Sequence, residues 1–152
     1  MQAHFLKRHA QEWYNSARRT LECTKSSMGF VAWSAFRYYG DRLFGDYIDN
    51  RYDTAREFAS IIESDPEFNL LTHPESNIIC FRHIPEALKD ERLNQHNSNL
   101  RKRVISNGSF YIVQAEINGD TWLRITIINP MTGIEKLKAL LDEIKNLAGS
   151  PI

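Results

Sequence analysis

The chemistry legible in this chain narrows to one guanidinium. Arg124 sits within Trp122-Leu-Arg-Ile-Thr-Ile-Ile128, a run of β-branched and aromatic residues whose alternation predicts a strand. Side chains alternate with period two, so Leu123, Ile125 and Ile127 share one face while Trp122, Arg124, Thr126 and Ile128 share the other. That second face is mostly large and apolar, with a cation in its middle. An arginine so placed needs an anion or a ring of acceptors, and its planar fork suits a carboxylate. The same pattern also accommodates an edge-strand arginine lying over Trp122 with its head in water. Periodicity alone leaves both readings open.

Little else could do chemistry. There is no Gly-rich phosphate loop, no G-x-S-x-G elbow and no C-x-x-C pair. His4, His9, His73, His83 and His96 show no metal-ligand spacing and are expected to be solvated or locally satisfied. Arg101-Lys102-Arg103 is a short basic run expected on a solvated helix face, with a phosphate patch as its other use. Glu63 and Asp65 close a helix rather than converge on a cleft. No catalytic, cofactor-binding or metal-binding constellation assembles from these residues.

The elements that must position Arg124 follow from patterning. Asn118-Gly119 lies between two alternating runs in Ser109–Pro130, and both central positions of a type I′ turn need φ > 0, so a hairpin is predicted there. Residues 1–23 are polar and irregular, with isolated Phe5, Trp13 and Tyr14. From Thr24, Met28, Val31, Ala32, Ala35, Phe36 and Tyr39 form a helical stripe that Gly40 should stop. Phe30, Trp33 and Tyr38 fall on other faces of that helix. A helix apolar nearly all round expects neighbours on several sides. Asp41 opens a second helix, with Leu43, Phe44, Tyr47, Ile48, Ala55, Phe58, Ala59 and Ile62 in register, ended by Asp65-Pro66. Strands are expected at Phe68–Thr72 and Asn77–Ile84. A polar, asparagine-rich stretch, Glu86–Asn99, then leads into a weaker helix marked by Leu93, Leu100 and Val104, closed by Asn107-Gly108. Thr132-Gly-Ile-Glu135 reads as a capping box opening a last helix with Ile134, Leu137, Leu141, Ile144 and Ala148 in phase. Hairpin-joined strands with helices collected on one face make an α+β fold with a small antiparallel sheet.

The totals suit a single ordinary domain of 152 residues. Lys+Arg and Asp+Glu are 19 each, so no whole-chain field recruits nucleic acid or an anionic membrane. A hydrophobic share of 42% and a charged share of 25% are those of a soluble globular protein. Cys23 and Cys80 make no disulfide framework and fit a reducing cytoplasm. The start, MQAHFLKRH, lacks the apolar stretch of a signal peptide.

Three stretches carry a resemblance: Glu75-Ser-Asn-Ile-Ile-Cys-Phe-Arg82, Gly108-Ser-Phe-Tyr-Ile-Val113 and Trp122-Leu-Arg-Ile-Thr-Ile-Ile-Asn-Pro130. With Arg19-Thr-Leu-Glu-Cys-Thr-Lys25 and His9-Ala-Gln-Glu-Trp-Tyr14 in collinear order, the chain resembles the C-terminal portion of group II pyridoxal-phosphate-dependent amino-acid decarboxylases, the glutamate, aromatic-amino-acid and 2,4-diaminobutyrate enzymes among them. The resemblance implies the C-terminal small domain of a type I, aspartate-aminotransferase-like enzyme at residues 41–152, with residues 1–40 as the tail of its large domain. It implies pyridoxal 5'-phosphate as cofactor of the intact enzyme, a small amino acid as substrate, and the rest of the large domain or a homodimer partner as neighbours. It gives Arg124 the role of reaching the substrate's α-carboxylate. In that family the cofactor is held by a lysine in a His-Lys dipeptide. This chain has none, and its lysines at 7, 25, 89, 102, 136, 138 and 145 lie in other contexts. The matched region is expected to begin just past the lysine segment, so no cofactor should bind covalently here and the chain alone should be inactive. The family's loop tyrosine matches Glu12 on strict alignment, with Tyr14 two residues on, and stays unassigned. A stand-alone α+β module binding a partner or a small carboxylate is the competing expectation.

Overall fold

The computed structural model describes residues 26–149, and the chain divides into two compact units, Met1–Asp41 and Arg42–Ile152. Helix α1 covers Met28–Ser64 but is interrupted at Gly40, where φ is 76° and ψ 169°. That left-handed backbone favours glycine because a β-carbon would crowd it, and the helical path breaks where the sequence predicts. In the first unit, Met28, Phe30, Val31, Trp33, Phe36, Tyr38 and Tyr39 are all exposed. Phe30 and Trp33 stack with centroids 5.9 Å apart, and Tyr38 meets Tyr39 edge-on at 4.8 Å.

In the second unit, the rest of α1 buries Ala55, Phe58, Ala59 and Ile62, spaced three and four apart along one stripe. Four strands follow, β1 (Phe68–Leu70), β2 (Ile78–His83), β3 (Val113–Ile117) and β4 (Asp120–Thr126), with α2 (Asp90–Asn107) after β2 and α3 (Ile134–Gly149) after β4. The strands form one antiparallel sheet in the order β1-β2-β4-β3. Asn118 (φ 56°) and Gly119 (φ 84°) make the predicted tight turn, bracketed by the Ile117–Asp120 pair. The first two strands are shorter than expected, although backbone bonds continue past their ends, from Leu71 N–H to the Cys80 carbonyl and from Ile84 N–H to the Glu67 carbonyl. Ser109–Ile112 stands outside the ladder.

Strand alternation decides which face is which. Ile79, Phe81, Leu123 and Ile127 join Phe58, Ile62, Leu100, Val104, Leu137, Leu140, Leu141 and Ile144 in one core, so α1, α2 and α3 cover the same face of the sheet. None of Ile78, Cys80, Arg82, Trp122, Arg124 and Thr126, on the opposite face, belongs to that core. This is the α+β arrangement the sequence predicts.

Helix α2 begins inside the polar stretch that the sequence leaves unassigned up to Asn99. The reason is Asn97, which is fully buried where the Leu93–Leu100–Val104 stripe has an apolar position. Its amide accepts from His83 N–H at 2.9 Å and donates to the carbonyls of His83 and Leu93, both at 3.0 Å. One turn earlier, Asn94 accepts from Thr121 N–H at 2.8 Å and donates to the Gly119 carbonyl at 3.0 Å. The β2–β4 ladder, which runs from Ile78–Thr126 to Phe81–Leu123, would bring His83 opposite Thr121 if it continued. Two asparagines of α2 take up those strand ends instead. Arg51, buried on α1, donates to the carbonyls of Asn129 (2.8 Å) and Thr132 (3.0 Å) and to Asn50 Oδ1, while the Tyr47 hydroxyl donates to the Ile128 carbonyl. These bonds set where α3 starts. Within it, Glu135 pairs with Lys138 at 3.1 Å.

Asn97→Ala leaves the His83 N–H and carbonyl without their side-chain partner in a site water does not reach. Urea unfolding of the chain is expected to show a loss of about 3 kcal/mol. A loss within a few tenths would mean that α2 is not fastened through this amide.

Candidate functional site

On β4 the face away from the helical core carries Trp122, Arg124 and Thr126, with Arg124 paired across to Cys80 on β2 and to Val113 on β3. Ala115 pairs with Trp122 in the same way. Edge strand β3 turns half-buried Val113, Ala115 and Ile117 to this face, while Gln114 and Glu116 are exposed on the other. Arg124 is therefore a half-buried guanidinium set among small apolar side chains. Its Nε is buried with no hydrogen-bond partner, and among the described residues it forms no ion pair. Burial pushes the neighbouring Cys80 thiol up from its ordinary pKa, and the positive charge of Arg124 offsets part of that rise.

Trp122 is 5% exposed although it lies outside the core. The sequence allows Arg124 to lie along it, but the cation over the indole is Arg82, 4.4 Å from the ring centroid. Arg82 in turn pairs with Asp120 at 3.2 Å. Arg82 follows Cys80 by two residues on β2, so it shares the face of Arg124. Neither it nor Asp120 was separable from ordinary surface charges by sequence, because the contact depends on the register of strands far apart in the chain. Arg82 stacks, and Arg124 has no ion-pair partner among the described residues.

The other candidates fall elsewhere. Nδ1 of buried His83 lies 2.9 Å from Nε2 of His96, Nε2 of His83 is buried without a hydrogen-bond partner, and His73 is exposed. Among the described residues no group of three or more His, Cys, Asp or Glu side chains could hold a metal ion. The basic run is only partly solvated, since Arg101 is half-buried and its Nε donates to the Ile112 carbonyl at 3.3 Å. Asp65 pairs with Lys145 at 2.7 Å and Glu67 with the same Lys145 at 3.0 Å. Lys102, Lys136, Lys138 and Lys145 lie on α2 and α3, and Lys89 precedes α2, so none of these lysines stands on β2 or β4 beside Arg124. Glu12, Tyr14, Cys23, His4 and His9 fall outside the described residues. Among the described residues no helix is long and apolar enough to cross a membrane.

Residues 1–84, more than half of the chain, match the family described as "Pyridoxal-dependent decarboxylase conserved domain". The chain is 29% identical over 106 residues to phenylacetaldehyde synthase of Arabidopsis thaliana, covering 70% of this chain and 22% of that protein. It is 24% identical over 130 residues to L-2,4-diaminobutyrate decarboxylase of Acinetobacter baumannii, covering 86% of this chain and 26% of that protein. Among solved structures, it superposes on the glutamate decarboxylase domain of the diaminobutyrate-pyruvate transaminase and L-2,4-diaminobutyrate decarboxylase from Vibrio parahaemolyticus with a TM-score of 0.70 and 27% identity, covering 77% of this chain and 25% of that one. Mouse CSAD shares the fold with a TM-score of 0.76 at 20% identity, covering 90% of this chain and 30% of that one. The chain spans about a quarter of the length of the curated relatives it matches.

Arg82→Gln removes both the ion pair to Asp120 and the cation over the indole. Trp122 is expected to gain solvent, with its fluorescence moving to the red, and the chain to lose about 1 kcal/mol in urea unfolding. An unmoved emission would show that Arg82 does not cover the ring in solution.

Proposed function

Since the chain belongs to the pyridoxal-dependent decarboxylase family, we propose that it forms the C-terminal segment of a pyridoxal-phosphate-dependent L-amino-acid decarboxylase and supplies one wall of the substrate site. The observation that carries this reading is Arg124, half-buried on the face opposite the helices, with its Nε unpartnered. A substrate α-carboxylate has the charge and the two-oxygen geometry that this guanidinium lacks as a partner. A bidentate pair held away from water fixes the orientation of the bond to be broken. When bound, the cofactor supplies the electron sink for loss of carbon dioxide. This chain's part is to bind and orient the carboxylate, with Val113, Ala115 and Trp122 limiting the water around it. In this reading the lysine and phosphate site that hold pyridoxal phosphate belong to a large-domain portion outside these 152 residues, and the chain by itself is inactive.

The first unit supports the same reading. Phe30, Trp33 and Tyr38 are 64%, 58% and 82% exposed, and a self-sufficient module would bury such side chains. They fit the surface of a segment whose neighbours are the remaining large domain or a second subunit of a homodimer. The assembled enzyme would be cytoplasmic and act on a small amino acid, with neither nucleic acid nor membrane as a partner.

Joined to the large-domain portion of a family member, the chain is expected to support carbon dioxide release from an amino acid. Arg124→Lys, which keeps the charge but loses the fork, should lower kcat/KM by about a hundredfold or more with little change in the unfolding midpoint. Unaltered kcat/KM in that variant would remove Arg124 from the substrate. A separate expectation concerns the 152-residue chain alone: mixed with pyridoxal phosphate, it should give no stable lysine-linked absorption band that an added amino acid discharges.

A further inference from the structure

His83 and His96 lie at the junction that fastens α2 to the sheet. The His83 backbone is held at both its N–H and its carbonyl by Asn97, and its ring nitrogen Nδ1 stands 2.9 Å from Nε2 of the adjacent His96. The rings are 5.2 Å apart between centroids, and Phe68 meets His83 edge-on at 5.3 Å. Two nitrogens at 2.9 Å need one proton between them, no more and no fewer. They are also too close to share a metal ion, whose bonds of about 2.0–2.1 Å to each nitrogen, set at a tetrahedral angle, hold the pair farther apart. A proton is what this geometry takes.

The neighbours decide where the protons sit. Glu67 Oε2 is 3.6 Å from Nε2 of His83, beyond hydrogen-bond reach yet close enough to favour a proton on that nitrogen. Nδ1 of His83 is then the acceptor, Nε2–H of His96 the donor, and Nδ1 of His96 the remaining bare nitrogen. That nitrogen can receive one further proton with the shared bond intact. A second would have to enter the shared bond, setting two N–H groups and two positive charges against each other.

We propose that the His83–His96 pair is a proton-operated catch that holds α2 on β2 and, through Asn94, steadies the β3–β4 turn and the strand carrying Arg124. The catch closes with the pair neutral or singly charged and opens when both rings are charged. The charged groups around it are Asp65 and Glu67 ahead of β1, Lys145 on α3 and Arg103 on α2. Burial is the main cause holding both imidazoles below their ordinary 6.5. Lys145 adds to it at His83, against the pull of Glu67 and Asp65, while the charges of His83 and Arg103 add to it at His96. The unfolded chain therefore takes up protons that the folded chain refuses. The stability contributed by the uncharged pair is complete above about pH 6.5 and is lost as the pH falls below that value. Asp65 and Glu67 are held below their ordinary 3.8 and 4.5 with Lys145 as partner, so their own loss of stability begins only at lower pH. The catch is a property of the fold whether or not Arg124 serves a carboxylate.

The test follows the 152-residue chain by NMR from about pH 7.5 to about pH 5. The folded pair is expected to take up a single proton in that range. The Thr121 and His83 amides should lose about tenfold or more in exchange protection toward the acid end, after correction for the intrinsic pH dependence of exchange. His83→Gln keeps an acceptor for Nε2–H of His96 but removes the ring that refuses its proton in the closed state, and should weaken the pH dependence of the Thr121 amide. Independent titration of both rings near 6.5 with undiminished Thr121 protection overturns the proposal, as does a His83→Gln chain whose Thr121 amide loses protection just as the parent's does. If that variant does not fold, the proton count of the parent pair decides alone.

Discussion

A sheet covered by helices on one side must end its ladders somewhere, and here the ending is made by two carboxamides. Asn94 and Asn97 lie on one side of α2, three residues apart, and take the Thr121 and His83 backbone groups that the β2–β4 register would bring opposite each other. Buried amide and carbonyl groups without partners cost more than a hydrogen bond gains, so this exchange is a condition for α2 to lie where it does. From that placement follow the burial of Leu100 and Val104, the seating of the β3–β4 turn and the angle at which β4 presents its outer face. The helix is less a cover than a fastener.

That outer face is unlike the solvated face of an ordinary antiparallel sheet. A solvated face of an antiparallel sheet would be polar throughout. This one carries Ile78, Cys80, Val113, Ala115, Ile117 and Trp122 around its charges, and the edge strand β3 turns its apolar residues to this side. The exposed aromatics of the first unit have the same character. Both features accord with a chain that spans only about a quarter of the length of its curated relatives.

Much of this was legible beforehand. The hairpin about Asn118-Gly119, the break at Gly40, the α3 stripe and the two faces of β4 rest on local rules, namely φ > 0 at turn residues and periods of two and 3.6, which need no knowledge of the rest of the chain. What escaped was the part written in polar residues at buried positions. Asn97 interrupts an apolar stripe and so conceals the first half of α2, though its burial is what makes the helix bind. Arg51 and Arg82 read as surface charges. Their partners, the Asn129 and Thr132 carbonyls and the Trp122 ring, are separated from them by dozens of residues and come within reach only through tertiary register. Arg124 was legible as a candidate because its strand neighbours alone make its position costly.

The three arginines together argue for why Arg124 is the one to watch. Each is at least half-buried and each leaves its Nε without an acceptor. Arg51 spends its other nitrogens on two backbone carbonyls and Asn50. Arg82 spends its charge on Asp120 and its plane on Trp122. In both cases the desolvation of the cation is repaid locally, which is how folded proteins ordinarily tolerate a guanidinium out of water. Arg124 has no ion pair among the described residues, and its charge acts on the neighbouring Cys80 thiol. The difference between the three is what supports reading Arg124 as the residue proposed to take a carboxylate. A planar fork pairs best with a planar anion of two oxygens, which is why a carboxylate is the ligand proposed for it.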